Sequence, residues 1–175
     1  MNLPNQLTLG RVVAVPFFIV IYLMGYETIA AILFILASAT DALDGYLARR
    51  DNLVTNFGKI MDPLADKVLV VSALVLLVES GQVAGWMLIV ILAREFAVAG
   101  LRTVAAAEGK VIAAGTTGKI KTVLQMLAVP LLLLNNWPFS YIHFPMDQIL
   151  LWGCVIMTVV SGVEYIVKNV SVFKG

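Results

Sequence analysis

Six apolar stretches, each close to the ~20 residues a helix needs to cross a ~30 Å hydrocarbon core, fill most of this 175-residue chain. They run over residues 7–24, 28–46, 62–78, 85–106, 118–134 and 148–167. Turn-forming or polar residues separate them: Gly25-Tyr26-Glu27, Arg50-Asp51-Asn52, Glu79-Ser80-Gly81-Gln82, Glu108-Gly109-Lys110 and Asn135-Asn136-Trp137-Pro138. With 61% hydrophobic and 13% charged residues, against roughly 25% charged in soluble domains, the chain reads as an integral membrane protein. The expected architecture is all-α, a single domain over residues 1–175 with six transmembrane helices. The opening MNLPNQLTLGRVV lacks the basic stretch and small-residue cleavage site of a secretory signal, so the first apolar segment is expected to remain as a span.

The charges carry their information by position. A net charge of +1 excludes the basic surplus that a polyphosphate-binding face needs, so no nucleic-acid partner is expected. The single Cys154 cannot form an internal disulfide, and no Cys/His cluster could hold zinc. All 12 Lys and Arg lie near the termini, in the second and fourth connections, or on the helices flanking them. The positive-inside rule then puts both termini and both charged connections in the cytoplasm of a multi-pass plasma-membrane protein. Trp86, Trp137, Tyr26 and Tyr141 fall on the opposite rim, where aromatic belts sit. Arg94 stands apart, about nine residues and roughly 13 Å inside the fourth span, so it is expected to face a polar cavity.

One segment concentrates acid at the cytoplasmic rim: residues 40–67 read TDALDGYLARRDNLVTNFGKIMDPLADK. Asp41, Asp44, Gly45 and Ala48 are spaced i, i+3, i+4, i+7, which places them on one helix face. Gly58, Asp62 and Asp66 at i, i+4, i+8 make a second stripe. One Asp near a helix start is an ordinary cap, and Asp62 before Pro63 fits one well, but capping does not account for four spaced carboxylates with Gly, Ala and Arg beside them. Four ionised carboxylates at close quarters repel unless some are protonated or cations share the site. All-oxygen donors without His or Cys favour hard ions, Mg²⁺ or Mn²⁺ with Ca²⁺ as a competitor, and two such ions balance four charges. Gly45, Ala48 and Gly58 leave room for a ligand to approach the backbone, and Arg49 could neutralise a phosphate. Hard metals, close approach and a guanidinium at a membrane rim suit phosphoryl chemistry on a lipid.

The residues from Asp41 to Asp66 spell D-x-x-D-G-x-x-A-R, eight residues, then G-x-x-x-D-x-x-x-D, which resembles the signature of the CDP-alcohol phosphatidyltransferase family at every defined position and spacing. The resemblance extends to residues 2–11 (NLPNQLTLGR), 53–59 (LVTNFGK), 93–102 (AREFAVAGLR) and 118–122 (GKIKT), which are similar to the bacterial branch that uses sn-glycerol 3-phosphate. The resemblance implies a homodimeric six-helix membrane enzyme that moves a phosphatidyl group from CDP-diacylglycerol to sn-glycerol 3-phosphate, giving phosphatidylglycerophosphate and CMP. On this chain it implies Asp41, Asp44 and Asp62 as metal ligands, with Asp66 completing the metal site and acting as general base. Asp41, Gly45, Ala48, Arg49 and Gly58 would line the CDP pocket.

The acceptor brings its own phosphate, for which Arg94, Arg102, Lys119 and Lys121 are the candidates; anchoring at lipid headgroups is the competing role for these cations. Arg94 and Arg102 lie roughly 80° apart around the fourth helix, so both could border one cavity, although Glu95 is nearly aligned with Arg102 and could pair with it. Other acceptors, phosphatidylglycerol, inositol phosphate or serine, remain open under the same signature. A divalent-cation transporter is the alternative from another class, but it needs acids distributed through the membrane, and Glu27, Glu79 and Asp147 sit at the far rim with no chain of carboxylates between. Gly153 and Gly162 permit close helix contact, at a dimer interface for instance, and Glu164 with Lys168 forms an i, i+4 pair.

Overall fold

The structure is a computed structural model that describes residues 3–50, 56–107, 109, 112 and 115–169, without the side chains of 3–7, 41–50, 56–60, 62 and 63. It contains six α-helices: α1 (Leu3–Leu23), α2 (Glu27–Arg50), α3 (Asn56–Glu79), α4 (Gly85–Ala107), α5 (Thr116–Leu133) and α6 (Met146–Lys168), with one 3₁₀ turn at Phe139–Ile142. No strand occurs among the described residues. The six helices match the expected stretches in number and order. The largest boundary difference is at α3, which starts at Asn56 rather than at residue 62. Hydropathy registers only the continuous apolar part of a helix, and here the first turns, NFGKIM, are broken by Asn56, Gly58 and Lys59. The chain divides into two compact units, Met1–Ser80 and Gly81–Gly175.

In the first unit α1 packs along α2 and α3, and α2 touches α3. Thr8, Arg11, Val15, Phe18 and Tyr22 recur every three or four residues and are all buried, which defines the inward stripe of α1. The Phe18 ring meets that of Phe34 at 6.1 Å between centroids, beside Ala30, Ala31 and Ala37 of α2. From α3, Ala65, Leu69, Ala73 and Leu77 complete the core. Alanines at the contact let the helices approach closely, which is how packing holds helices together where lipid removes the hydrophobic drive. Val13, Phe17, Val20, Ile29, Ile32 and Leu36 point outward on the other faces, an arrangement suited to an apolar solvent. Gly25 ends α1 with φ 84°; Tyr26 N–H donates to Ile21 O at 3.2 Å and Gly25 N–H to Tyr22 O at 2.9 Å, the paired bonds of a Schellman close.

In the second unit α6 packs along both α4 and α5. Its buried face, Leu151, Cys154, Val155, Thr158, Ser161 and Tyr165, has the three-to-four residue period of a single stripe. Gly153 puts α6 against Leu124 of α5, where an added Cβ would lie 3.6 Å from Leu124 Cδ1. Asn135 closes α5 as Gly25 closes α1: its φ is 50°, Asn136 N–H donates to Leu131 O at 2.8 Å and Asn135 N–H to Leu132 O at 3.0 Å. The Trp86 and Trp152 rings meet at 5.7 Å between centroids, tilted by 55°, near the starts of α4 and α6. Among the described residues α6 alone is by itself long and apolar enough to cross a membrane, with a mean hydropathy of 1.9. The apolar parts of α1 and α2, Thr8–Leu23 and Glu27–Thr40, are shorter. The other helices carry charges within their length: Asp66 and Lys67, Arg94, Glu95 and Arg102, and Lys119 and Lys121.

Candidate functional site

The acidic signature lies on two unbroken helices of the first unit. Because α2 continues to Arg50, the backbone positions of Asp41, Asp44, Gly45 and Ala48 share one face by register, with Arg49 following. Because α3 begins at Asn56, Gly58, Asp62 and Asp66 fall on one stripe of its first three turns. The side chains of Asp41, Asp44, Ala48, Arg49 and Asp62 lie outside the described residues, as do the surroundings of Gly45 and Gly58. Asp66 is described: the residue is half-buried and its Oδ1 is shielded from solvent. Among the described residues no group of three metal-ligating side chains occurs. The fit to a metal therefore rests on donor chemistry and register: four hard carboxylates, two on each of two touching helices, suit a hard divalent cation.

Arg11, from sequence one of the 12 basic residues that set topology and the end of the 2–11 stretch, has a structural role as well. Arg11 is 2% exposed, and its Nε donates to Ala37 O at 3.2 Å, one turn before Asp41. The guanidinium thus ties α1 to the end of α2 that carries the signature. The signal was its place on the buried stripe of α1 between Thr8 and Val15.

The second unit gathers a separate polar cluster around Arg94. Its Nε donates to Ser161 Oγ at 3.1 Å, and its Nη1 lies 3.2 Å from Glu95 Oε1. The same oxygen accepts from Lys121 Nζ at 2.8 Å, so one carboxylate joins α4 to α5. Lys121 is 2% exposed. Arg94 borders a cavity of about 160 Å³ whose walls include Thr117 and Gly118 of α5 and Ser161, Glu164, Tyr165 and Lys168 of α6. Arg94 thus borders a cavity, as expected, with charged and hydroxyl side chains set among walls whose exposed surface is largely apolar. Glu164 accepts from Thr117 Oγ1 at 2.6 Å and pairs with Lys168, the i, i+4 partner expected from sequence.

The four acceptor-phosphate candidates take different places. Arg94 is on the cavity wall, whereas Lys121 is buried against Glu95. Arg102 is exposed; its Nε donates to Tyr165 Oη at 3.2 Å, and its guanidinium lies 5.8 Å from the Tyr165 ring centroid, within cation–π range. It stands behind Tyr165, which itself lines the cavity. Lys119 is exposed on α5. Ser161, Thr117 and Tyr165 were not singled out from sequence, since a hydroxyl on an apolar helix looks the same whether it packs or binds. Gly162 faces the Arg94 side chain, with an added Cβ 3.2 Å from Arg94 Cγ. A guanidinium, an ammonium, a carboxylate and three hydroxyls around one small cavity can recognise a compact, polar, phosphate-bearing molecule.

Comparison with known proteins bears on both clusters. The profile of the CDP-alcohol phosphatidyltransferase family matches residues 1–160. A Bacillus subtilis protein named CDP-diacylglycerol–glycerol-3-phosphate 3-phosphatidyltransferase is 51% identical, over 99% of this chain and 97% of the relative. Proteins of the same name from Rickettsia bellii and Haemophilus influenzae are 40% and 39% identical over 94% of this chain, and 93% and 91% of their own. With the signature complete on α2 and α3 and these matches spanning the chain, the protein belongs to the CDP-alcohol phosphatidyltransferase family, whose members are membrane-embedded and in general divalent-metal-dependent enzymes.

Proposed function

We propose that this enzyme transfers the phosphatidyl group of CDP-diacylglycerol to sn-glycerol 3-phosphate, forming phosphatidylglycerophosphate and releasing CMP. The observation that carries the reading is the complete signature held in helical register, in a chain 51% identical to a relative named for this reaction. The protein works as one catalytic domain of six spans in the plasma membrane, with both termini and the active site on the cytoplasmic side, and as a homodimer. The placement of all 12 basic residues by connection supports the orientation.

Asp41, Asp44, Asp62 and Asp66 would hold two Mg²⁺ or Mn²⁺ ions, which when bound supply positive charge to offset that developing on departing CMP. Gly45, Ala48 and Gly58 admit the nucleotide close to the helix backbones, and Arg49 offsets phosphate charge. A primary hydroxyl is a weak nucleophile at neutral pH, so a base must take its proton as the new bond forms. Asp66 fills that role, and its shielded Oδ1 suits a group that works away from bulk water. The acceptor oxygen bonds to the lipid-linked phosphorus, the bond from phosphorus to the CMP oxygen breaks, and the proton passes to Asp66. Arg94, on the cavity wall, serves the acceptor's own phosphate, with Arg102 behind Tyr165, Lys119 on α5 and Lys121 through Glu95 as supporting cations.

The deciding experiment supplies purified protein with CDP-diacylglycerol and, in turn, sn-glycerol 3-phosphate, phosphatidylglycerol, inositol phosphate and serine, and measures CMP release. CMP release is expected with sn-glycerol 3-phosphate. Preference for another acceptor would overturn the substrate assignment, and divalent ion flux with no CMP from any acceptor would overturn the enzyme reading.

A further inference from the structure

Arg94 is held on three sides. Its Nε is bonded to Ser161 Oγ and its Nη1 to Glu95 Oε1, and Nη2 is the third nitrogen of the guanidinium. Nη2 lies against the backbone of Gly118, where an added Cβ would sit only 2.8 Å away. On the other flank Gly162 meets the stem of the same side chain, with an added Cβ 3.2 Å from Arg94 Cγ. Gly118 also forms part of the cavity wall. A glycine on α5 and a glycine on α6 therefore leave the slot through which the guanidinium reaches the cavity.

Neither helical glycine is required by backbone shape. The positive-φ glycines are Gly25, Gly81 and Gly109, and Gly118 lies within α5 among ordinary helical residues. Glycine inside a helix costs roughly 0.5–1 kcal/mol relative to alanine. What Gly118 contributes is the absence of a methyl group beside the charged tip of Arg94. The tip is the far end of a flexible side chain, so a methyl there moves the guanidinium rather than breaking the helix. Moving it also lengthens the bonds to Ser161 and Glu95, which fix its direction.

We propose that Gly118 is a positioning residue that sets specificity for a phosphorylated acceptor by fixing where the Arg94 guanidinium enters the cavity, with Gly162 as the second wall of the slot. The inference rests on the reading that Arg94 serves the acceptor phosphate, and names what aims it. A guanidinium binds phosphate best as a planar two-pronged donor, so a small displacement degrades the contact even though the charge is kept.

The test is a double-mutant cycle on the purified enzyme with Gly118→Ala, Arg94→Ala and both together, reading KM for each substrate, kcat and detergent melting temperature. Gly118→Ala is expected to raise the sn-glycerol 3-phosphate KM by about tenfold, to leave the CDP-diacylglycerol KM within about twofold, and to leave the melting temperature unchanged or higher. In the Arg94→Ala background the same substitution should have no further effect on the acceptor KM, because the tip it displaces is gone. An unchanged acceptor KM in Gly118→Ala, or an equal rise with and without Arg94, overturns the positioning role. If Arg94→Ala alone leaves the acceptor KM unaltered, the acceptor-phosphate reading itself is what fails. A lowered melting temperature with both KM values raised together would make Gly118 a packing residue, against the proposal.

Discussion

Lys121 Nζ lies 2.8 Å from Glu95 Oε1, with the lysine side chain 3% exposed and the glutamate 24%. A buried ammonium is tolerated because a carboxylate from the neighbouring helix meets it, and that carboxylate also reaches Arg94. Removing one member of such a pair leaves a buried charge uncompensated and costs about 3–5 kcal/mol, whereas replacing both with apolar groups is close to neutral. Glu95→Gln is therefore expected to lose about 3 kcal/mol in detergent unfolding, toward the lower end because Glu95 is partly exposed. Glu95→Leu with Lys121→Met should recover most of it. A single substitution that leaves the unfolding midpoint unchanged would contradict the pairing.

Arg94→Ala should raise the acceptor KM by roughly 10- to 150-fold, the equivalent of the ~1.5–3 kcal/mol carried by a hydrogen bond to a charged group. The CDP-diacylglycerol KM should stay nearly constant. Steady-state kinetics with each substrate varied in turn reads both, and an equal rise in the two would count against an acceptor-specific role.

Asp66→Asn should lower kcat by at least about 10²–10⁴-fold, the range for losing a positioned general base. CDP-diacylglycerol binding should persist, measured by equilibrium binding of the labelled lipid in detergent. Near-normal turnover would remove Asp66 as the base.

Chelation should abolish CMP release, and Mg²⁺ or Mn²⁺ should restore it. Asp41→Asn, Asp44→Asn and Asp62→Asn should each raise the ion concentration needed for half-maximal activity, since each removes a hard anionic donor. Full activity in excess chelator would exclude the metal role.

Arg11→Met should destabilise the first unit through loss of the bond to Ala37 O and should also lower kcat, because the end of α2 bearing Asp41 is no longer tied to α1. A lower melting temperature with unaltered kcat would restrict Arg11 to stability.

The number of helices, their order and the acidic signature were legible because each is local: an apolar run, a turn residue, a fixed spacing. Gly25 and Asn135 are the turn residues that left-handed helix ends demand, and both sit where the breaks were read. What sequence did not disclose depends on contacts between helices. Glu95 looked positioned for Arg102 on its own helix, yet the structure joins it to Lys121, 26 residues away. Gly162, read as a surface for close helix contact, faces the side chain of Arg94. The apolar span began too late at residue 62 because Asn56, Gly58 and Lys59 interrupt the run before it, although the helical spacing of Gly58, Asp62 and Asp66 already reached into those turns.

Arg94 finds Ser161 only 67 residues further along the chain, on a last helix that packs on both of its predecessors in the second unit. During synthesis α4 and α5 thus emerge before the element that unites them exists, and the arginine waits without its hydroxyl partner until α6 follows. A polypeptide cut short before residue 146 therefore keeps Arg94 beside Glu95 but lacks the hydroxyl and the cavity wall that α6 supplies.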